Sequence, residues 1–230
     1  MSNEEKKELT VIYKVDGNEI KLTPSIVQNF IVGNDSQITL AEFKFFTELC
    51  RARKLNPFLK EAYCIKYGKQ PAQIVVGKDA VLKRAILNPA YDGMESGIIV
   101  LTAKGEVIER NGTFRLDTEQ LVGGWARVYR KNWTHPIYCS VSFNEVAQKT
   151  REGTLNSNWS TKGATMVEKV AKVRALRETF IEDLSGMYEA EEMGVDLPKE
   201  NVQEAVIIQQ DEPTEVEEVV AERVVSMDDI

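Results

Sequence analysis

Two stretches of the 230-residue chain interleave cations with aromatic rings: Phe58, Lys60, Tyr63, Lys66, Tyr67 and Lys69, then Trp125, Arg127, Tyr129, Arg130, Lys131 and Trp133. Lysine and arginine neutralise phosphates while flat rings stack on any base, so the combination suits single-stranded nucleic acid bound without sequence preference. Alternation within a strand is equally compatible with about half of these rings being core and the cations merely solvated. Other chemistry has less material. Val76-Gly77-Lys78-Asp79 resembles the end of a phosphate-binding loop, but position 72 is Ala where that loop needs glycine, and Asp79 replaces its magnesium-holding Ser or Thr. ATP hydrolysis is not expected. His135 is the single histidine and precedes Pro136, so it reads as a turn residue and leaves little for triads or Cys–His pairs. Asp92, Glu95, Glu61 and Asp79 could collect magnesium in a nuclease, without a diagnostic spacing. Cys50, Cys64 and Cys139 are odd in number and widely spaced, which fits neither a disulfide framework nor a zinc site, and they read as buried thiols.

The net charge of −7 hides a strong asymmetry. Residues 41–180 carry 23 Lys and Arg against 14 Asp and Glu, whereas residues 181–230 carry 2 against 16. The middle segment can attract phosphate, and the acidic tail either stays in solvent or competes for that surface. No apolar run approaches the roughly twenty residues of a membrane helix. The start lacks a signal-peptide apolar core, so a cytosolic location without membrane contact is expected.

The elements that must position these residues read as α+β. Glu8 to Leu22 alternates around a turn at Asp16-Gly17-Asn18, a small hairpin. Thr23-Pro24 opens a helix with Ile26, Val27, Phe30 and Ile31 on one face, ending before Gly33. Thr39 and Glu42 form a capping box for a second helix carrying Leu40, Phe43, Phe46, Leu49 and Cys50, stopping near Asn56-Pro57. Ala62–Lys66 and Ala72–Val76 read as a hairpin, followed by a helix over 78–87 with Ala80, Val81, Ala85 and Leu87 inward. Strands are expected over 97–102, 106–110, 121–129 and 136–141, joined by turns at 104–105, 111–112 and 132–135, together an antiparallel sheet. Ser142 with Glu145 suggests a capping box opening a short helix to Thr150, then a polar loop to Ser160. The longest helix is expected from about Ala164 to Tyr188, with Met166, Val170, Val173, Phe180 and Leu184 as its apolar stripe and Lys169 and Lys172 on a more polar face. Beyond Pro198 a Glu-, Gln- and Val-rich linker leads to one further helix, capped by Thr214 and Glu217 with Val216, Val219, Val220 and Val224 on one face.

The order of motifs resembles the RecT/Redβ family of phage recombination proteins, in particular its Bet-type members. The matching residues are Leu55-Asn56-Pro57-Phe58-Leu59-Lys60-Glu61-Ala62-Tyr63, Val75-Val76-Gly77-Lys78-Asp79, Tyr91-Asp92-Gly93-Met94, Val128-Tyr129-Arg130-Lys131 with His135-Pro136, and Trp159, Met166, Lys169, Ala171, Ala175, Arg177 and Phe180. The resemblance spans roughly residues 25–190. It implies a β-hairpin, sheet and helix core like that of ring-forming annealing proteins, and an ATP-independent, non-catalytic protein of the bacterial cytoplasm. Such a protein binds single-stranded DNA, oligomerises on it as a ring or helical filament, and anneals complementary strands during homologous recombination. No cofactor is implied, with magnesium at most an aid to annealing. Implied partners are single-stranded DNA, the annealed duplex intermediate, further copies of the chain, a phage exonuclease and the host single-strand-binding protein.

Lys60, Lys69, Lys169 and Arg177 fall at family basic positions implicated in the DNA groove. Lys78, Arg127, Arg130, Lys131 and Lys172 join them on charge and location, with Phe58, Tyr63, Tyr129, Trp133 and Trp159 as aromatic candidates. The chain departs from the family at Lys162-Gly163-Ala164, where relatives carry a Met-Pro-basic run, and at Glu168, where a basic residue is common. Glu168 is instead placed to pair with Lys172. The expected organisation is an N-terminal hairpin over 1–22, a DNA-binding and oligomerising core over 23–195, and an acidic partner-binding arm over 196–230. A coating protein without annealing activity and a magnesium nuclease remain as rival readings.

Overall fold

The computed structural model describes residues 9–32 and 36–195. The side chain of Phe30, Gly33, the linker and the valine-faced helix expected near the C-terminus lie outside them. The architecture is α+β, with small antiparallel sheets packed on helices. β1 (Val11–Val15) and β2 (Asn18–Leu22) form the first hairpin, across a turn in which Asp16 and Gly17 both have positive φ. Its Tyr13, Val15, Ile20 and Leu22 enter the main core, and the buried Tyr13 hydroxyl donates to the Leu55 carbonyl at 2.9 Å. α1 (Pro24–Ile26) is capped by Thr23 and widens directly into a π turn over Val27–Ile31.

The capping box of α2 (Leu40–Arg53) forms as expected: Thr39 Oγ1 accepts from the Glu42 N–H at 3.2 Å, and the Glu42 carboxylate accepts from the Thr39 N–H at 2.7 Å. Phe43, Phe46 and Cys50 are buried, while Leu40 is exposed in the first turn. β3 (Ala62–Ile65) and β4 (Gln73–Val76) make the second hairpin, followed by α3 (Lys78–Leu87). Ala80, Val81 and Ala85 point inward as expected, but Leu87 is the last residue of the helix and is exposed at its end.

The main sheet has four strands in the order β6-β5-β7-β8, from β5 (Tyr91–Leu101), β6 (Val107–Asn111), β7 (Gln120–Arg130) and β8 (Ile137–Ser142). β5 starts six residues before the expected strand, because the polar run Tyr91 to Ser96 pairs with β7 around an irregularity between Tyr91 and Met94. After the sheet come α4 (Phe143–Val146) and α5 (Ser157–Thr161). Ser142 makes no capping bond, so the expected capping box is absent and α4 ends at Val146. Part of the expected polar loop is α5, capped by Asn156 Oδ1 accepting from the Trp159 N–H at 3.0 Å.

α6 (Gly163–Thr179) lies across the sheet. At Gly124 of β7 an added Cβ would sit 2.5 Å from the Val167 carbonyl oxygen, so glycine is what lets the helix backbone approach the strand. Val167, Val170, Ala171, Val173, Ala175 and Leu176 are almost wholly buried, in one core with Ile98, Val100, Ala126 and Val128 of the sheet and Val81 and Ala85 of α3. Each larger aliphatic side chain removed from water this way contributes about 1.5–3 kcal/mol. The expected single helix to Tyr188 is broken at Phe180 (φ −125°, ψ 51°) and continues as α7 (Ile181–Leu184) and, after a bend, α8 (Ala190–Met193). The cause is local. Phe180 turns fully into the core against Tyr91, and the Arg130 guanidinium donates at 2.8 Å to the Thr179 carbonyl that a continuing helix would use. Of the three thiols, Cys50 and Cys64 are buried and Cys139 is half-buried, all free. Among the described residues no helix is long and apolar enough to cross a membrane.

Candidate nucleic-acid interface

The Leu55-to-Tyr63 motif builds a rigid turn with an exposed tip. Asn56 Oδ1 accepts from the Phe58 N–H at 3.0 Å and caps a single 3-10 turn, Pro57–Leu59, after which Lys60 takes the left-handed conformation (φ 59°). Glu61, buried beneath it, accepts from the Asn56 N–H at 2.7 Å and from Lys83 Nζ at 2.7 Å. Lys83 also reaches Asp16 at 2.5 Å, and these two carboxylates hold its ammonium above the usual lysine range. The backbone is thus fixed from below while Phe58 and Leu59 stand 51% and 67% exposed beside Lys60. The Gly77 N–H donates to the Glu61 carbonyl at 3.1 Å, which brings the start of α3, with the half-exposed Lys78, next to this turn.

The β3–β4 hairpin starts at that turn and ends at the loop carrying Tyr67 and Lys69, both exposed. The loop is anchored by Glu42, which accepts from Lys66 Nζ at 2.8 Å and from the Ala72 N–H at 2.8 Å. Burial opposes the Glu42 charge, but Lys66 and the backbone donors outweigh it and bring the carboxyl down to about 2. Tyr63 is half-buried on the hairpin's outer face, against Ile65, Val75, Ala190 and Val195.

α6 supplies the largest group of cations. Lys169, Lys172, Arg174 and Arg177 have side chains 18%, 26%, 34% and 16% exposed. Each faces a carboxylate. Lys172 lies 2.9 Å from Glu168, the expected i, i+4 pair, and Glu168 also accepts from Ser96 Oγ at 2.9 Å, so it serves as a buried link between helix and sheet. Lys169 is 3.5 Å from Glu189, and Arg177 grips Glu192 with both terminal nitrogens at 2.7 and 2.5 Å while stacking on Tyr188 at 4.6 Å. Burial works against the Arg177 charge, yet the Glu192 bonds prevail and raise its pKa further. Arg174 completes the group at 3.7 Å from Glu192. It was absent from the sequence-derived set, although its spacing of three from Arg177 was a readable signal.

The second cation-aromatic stretch is spread over two places. On the sheet face away from α6, Arg127 sits over Trp125 at 4.6 Å and Tyr138 at 4.9 Å and bonds Glu109 at 2.8 Å, which holds its guanidinium above the usual range. Trp125 is sealed beneath it, and Tyr129 donates to Glu95 at 2.9 Å. At the end of β7, Arg130 is held between Trp133 (5.2 Å) and Phe180 (5.3 Å) and pairs with Glu182 at 2.6 Å. Lys131 Nζ donates to the Pro89 carbonyl at 2.9 Å, leaving Trp133 as the exposed ring of this corner. Trp159 is a core residue, 1% exposed and edge-on to Phe143 at 5.6 Å, rather than an open stacking face. That packing also accounts for Gly163, since a Cβ there would lie 2.9 Å from the Phe143 ring. His135 is exposed in its turn.

A family profile described as the RecT family matches residues 18–209, most of the chain and all three cation groups. This chain belongs to the RecT family. It is therefore a phage-associated DNA-recombination protein of the single-strand annealing class, a family whose members are generally non-catalytic and independent of ATP. A search of curated proteins finds no match to the chain.

Proposed function

We propose that this RecT-family protein binds single-stranded DNA, oligomerises on it and anneals complementary strands without ATP or any bound cofactor. The observation that carries the reading is the set of four cations on α6, a helix whose apolar positions are buried in the core, within a chain that matches the family over 18–209. Lys169, Lys172, Arg174 and Arg177 neutralise phosphates together with Lys60, Lys69 and Lys78, while Phe58 and Trp133 offer exposed rings to the bases. Arg127 is held over Trp125 and Tyr138, and Arg130 and Lys131 donate to backbone carbonyls, so these cations, with Tyr129 bonded to Glu95 and Tyr63 packed on the hairpin, act chiefly by shaping the sheet and hairpin edges.

No bond is made or broken. Holding strands extended with bases exposed lowers the entropic and repulsive cost of their meeting, and base pairing supplies the sequence specificity. Copies of the core over 23–195 extend the groove along the strand in a ring or filament, and the acidic arm over 196–230 is the docking segment for an exonuclease and the host single-strand-binding protein in the bacterial cytoplasm. The deciding measurement is the pairing rate of two labelled complementary oligonucleotides, with and without protein, in buffer lacking ATP. Acceleration with intact strands supports the proposal. Tight binding without acceleration leaves a coating protein, and shortened strands leave a nuclease.

A further inference from the structure

The cations of α6 already hold an anionic occupant, and it is part of the same chain. Segment 188–195 passes between the outer face of the β3–β4 hairpin and α6, with Glu189 and Glu192 toward the helix and Ala190 and Val195 toward the hairpin. Glu189 meets Lys169, and Glu192 meets both Arg174 and Arg177, with Glu192 making a two-pronged guanidinium contact. On the other side Ala190 and Val195 cover Ile65, Val75 and Tyr63, and the Tyr188 carbonyl accepts from the Val76 N–H at 2.8 Å. A carboxylate and a phosphate offer a guanidinium fork the same pair of acceptor oxygens.

We infer that segment 188–195 is an internal surrogate for the DNA backbone, occupying a phosphate-binding cluster formed by Lys169, Arg174 and Arg177 until a strand displaces it. The inference rests on the proposed DNA binding and deepens it by naming the competitor. Displacement exchanges one set of charge-assisted bonds for another and uncovers the ring of Tyr63. The apolar anchors given up are small, Ala190 and Val195, whereas Met187 and Leu184 upstream are completely buried and stay as the fixed end. A tethered competitor acts at an effective concentration in the ~mM range. Short or weakly held polyanions therefore lose to it, and a long strand engaging several subunits wins.

The test uses the full chain, a fluorescein-labelled thirty-nucleotide oligo-dT and anisotropy at fixed salt. The double variant Glu189→Gln, Glu192→Gln is expected to bind roughly three- to ten-fold tighter than wild type, the span expected from neutralising two competing carboxylates. A control with the same charge change at exposed sites elsewhere, Glu106→Gln with Asp117→Asn, should move affinity less than two-fold. Hydrogen exchange on the wild type gives a readout independent of how the variant folds: oligo-dT should accelerate exchange at the Val76 amide and across 188–195. Unchanged or slowed exchange there, or a double variant no tighter than the control, overturns the inference while leaving annealing intact. A wild type that neither binds oligo-dT nor speeds pairing removes the proposed function and the inference with it.

Discussion

The Pro57–Lys60 turn and the cation set of α6 solve opposite halves of a binding problem. The turn holds its backbone through Asn56 and Glu61 and leaves Phe58 and Leu59 in water, so a ligand there adds contacts the free protein lacks. The α6 cations are instead already satisfied by Glu168, Glu189 and Glu192, so a ligand there replaces contacts. Affinity at the first place scales with stacking area. At the second it scales with the difference between two anions, which is where salt and competing carboxylates act most strongly.

The comparison breaks most completely if the frame holding the helix row is removed. Phe180→Ala, which empties a fully buried ring site at the end of α6, should cost about 3–5 kcal/mol, read as a lowered urea midpoint; a loss under about 1 kcal/mol would mean that the helix break does not depend on that ring. Next in size is Glu61→Ala. It strands the buried Asn56 N–H and removes a partner of Lys83, for an expected loss of about 2–3 kcal/mol, and oligo-dT affinity should fall with the turn even though Glu61 itself lies beneath the exposed tip.

Phe58→Ala isolates the turn's own contribution. Stability should stay within about 0.5 kcal/mol, while oligo-dT binding weakens by about 1–2 kcal/mol, the worth of one stacked base. Equal affinity in anisotropy titrations would remove Phe58 from the interface. A further effect concerns pH. Glu42 titrates near 2 in the folded chain against an ordinary 4.5, so its contribution to stability is complete above pH 4.5 and is lost as pH falls toward 2. Glu42→Gln should therefore flatten the acid limb of the stability curve in that window, and an unchanged limb in urea melts taken across it would show that Lys66 and the Thr39 and Ala72 amides do not control this carboxyl.

Local patterns were legible where a few neighbouring residues settle the structure. The Thr39–Glu42 capping box, the Asp16-Gly17 turn and the β3–β4 hairpin all lie where their residue types require. Reading failed where distant partners decide. Tyr91 to Ser96 is too polar to announce a strand and becomes one because β7 supplies its hydrogen bonds. Ser142 and Glu145 have the right spacing for a capping box, yet the chain leaves the helix after a single turn. Among site residues the cations were found by type. Trp159 looked like its exposed aromatic neighbours because no sequence pattern distinguishes a ring facing water from one facing Phe143.

By itself the sequence determined the family, through motifs spread over most of the chain, and the charge asymmetry that separates a basic core from an acidic tail. Both follow from residue type and order, which need no third dimension. Only the tertiary structure decided that the helix ends at Phe180, and that the chain beyond it folds back to set Glu189 and Glu192 against Lys169, Arg174 and Arg177. Those pairings depend on which surfaces the core leaves adjacent, a property of the packed chain that the local sequence does not contain.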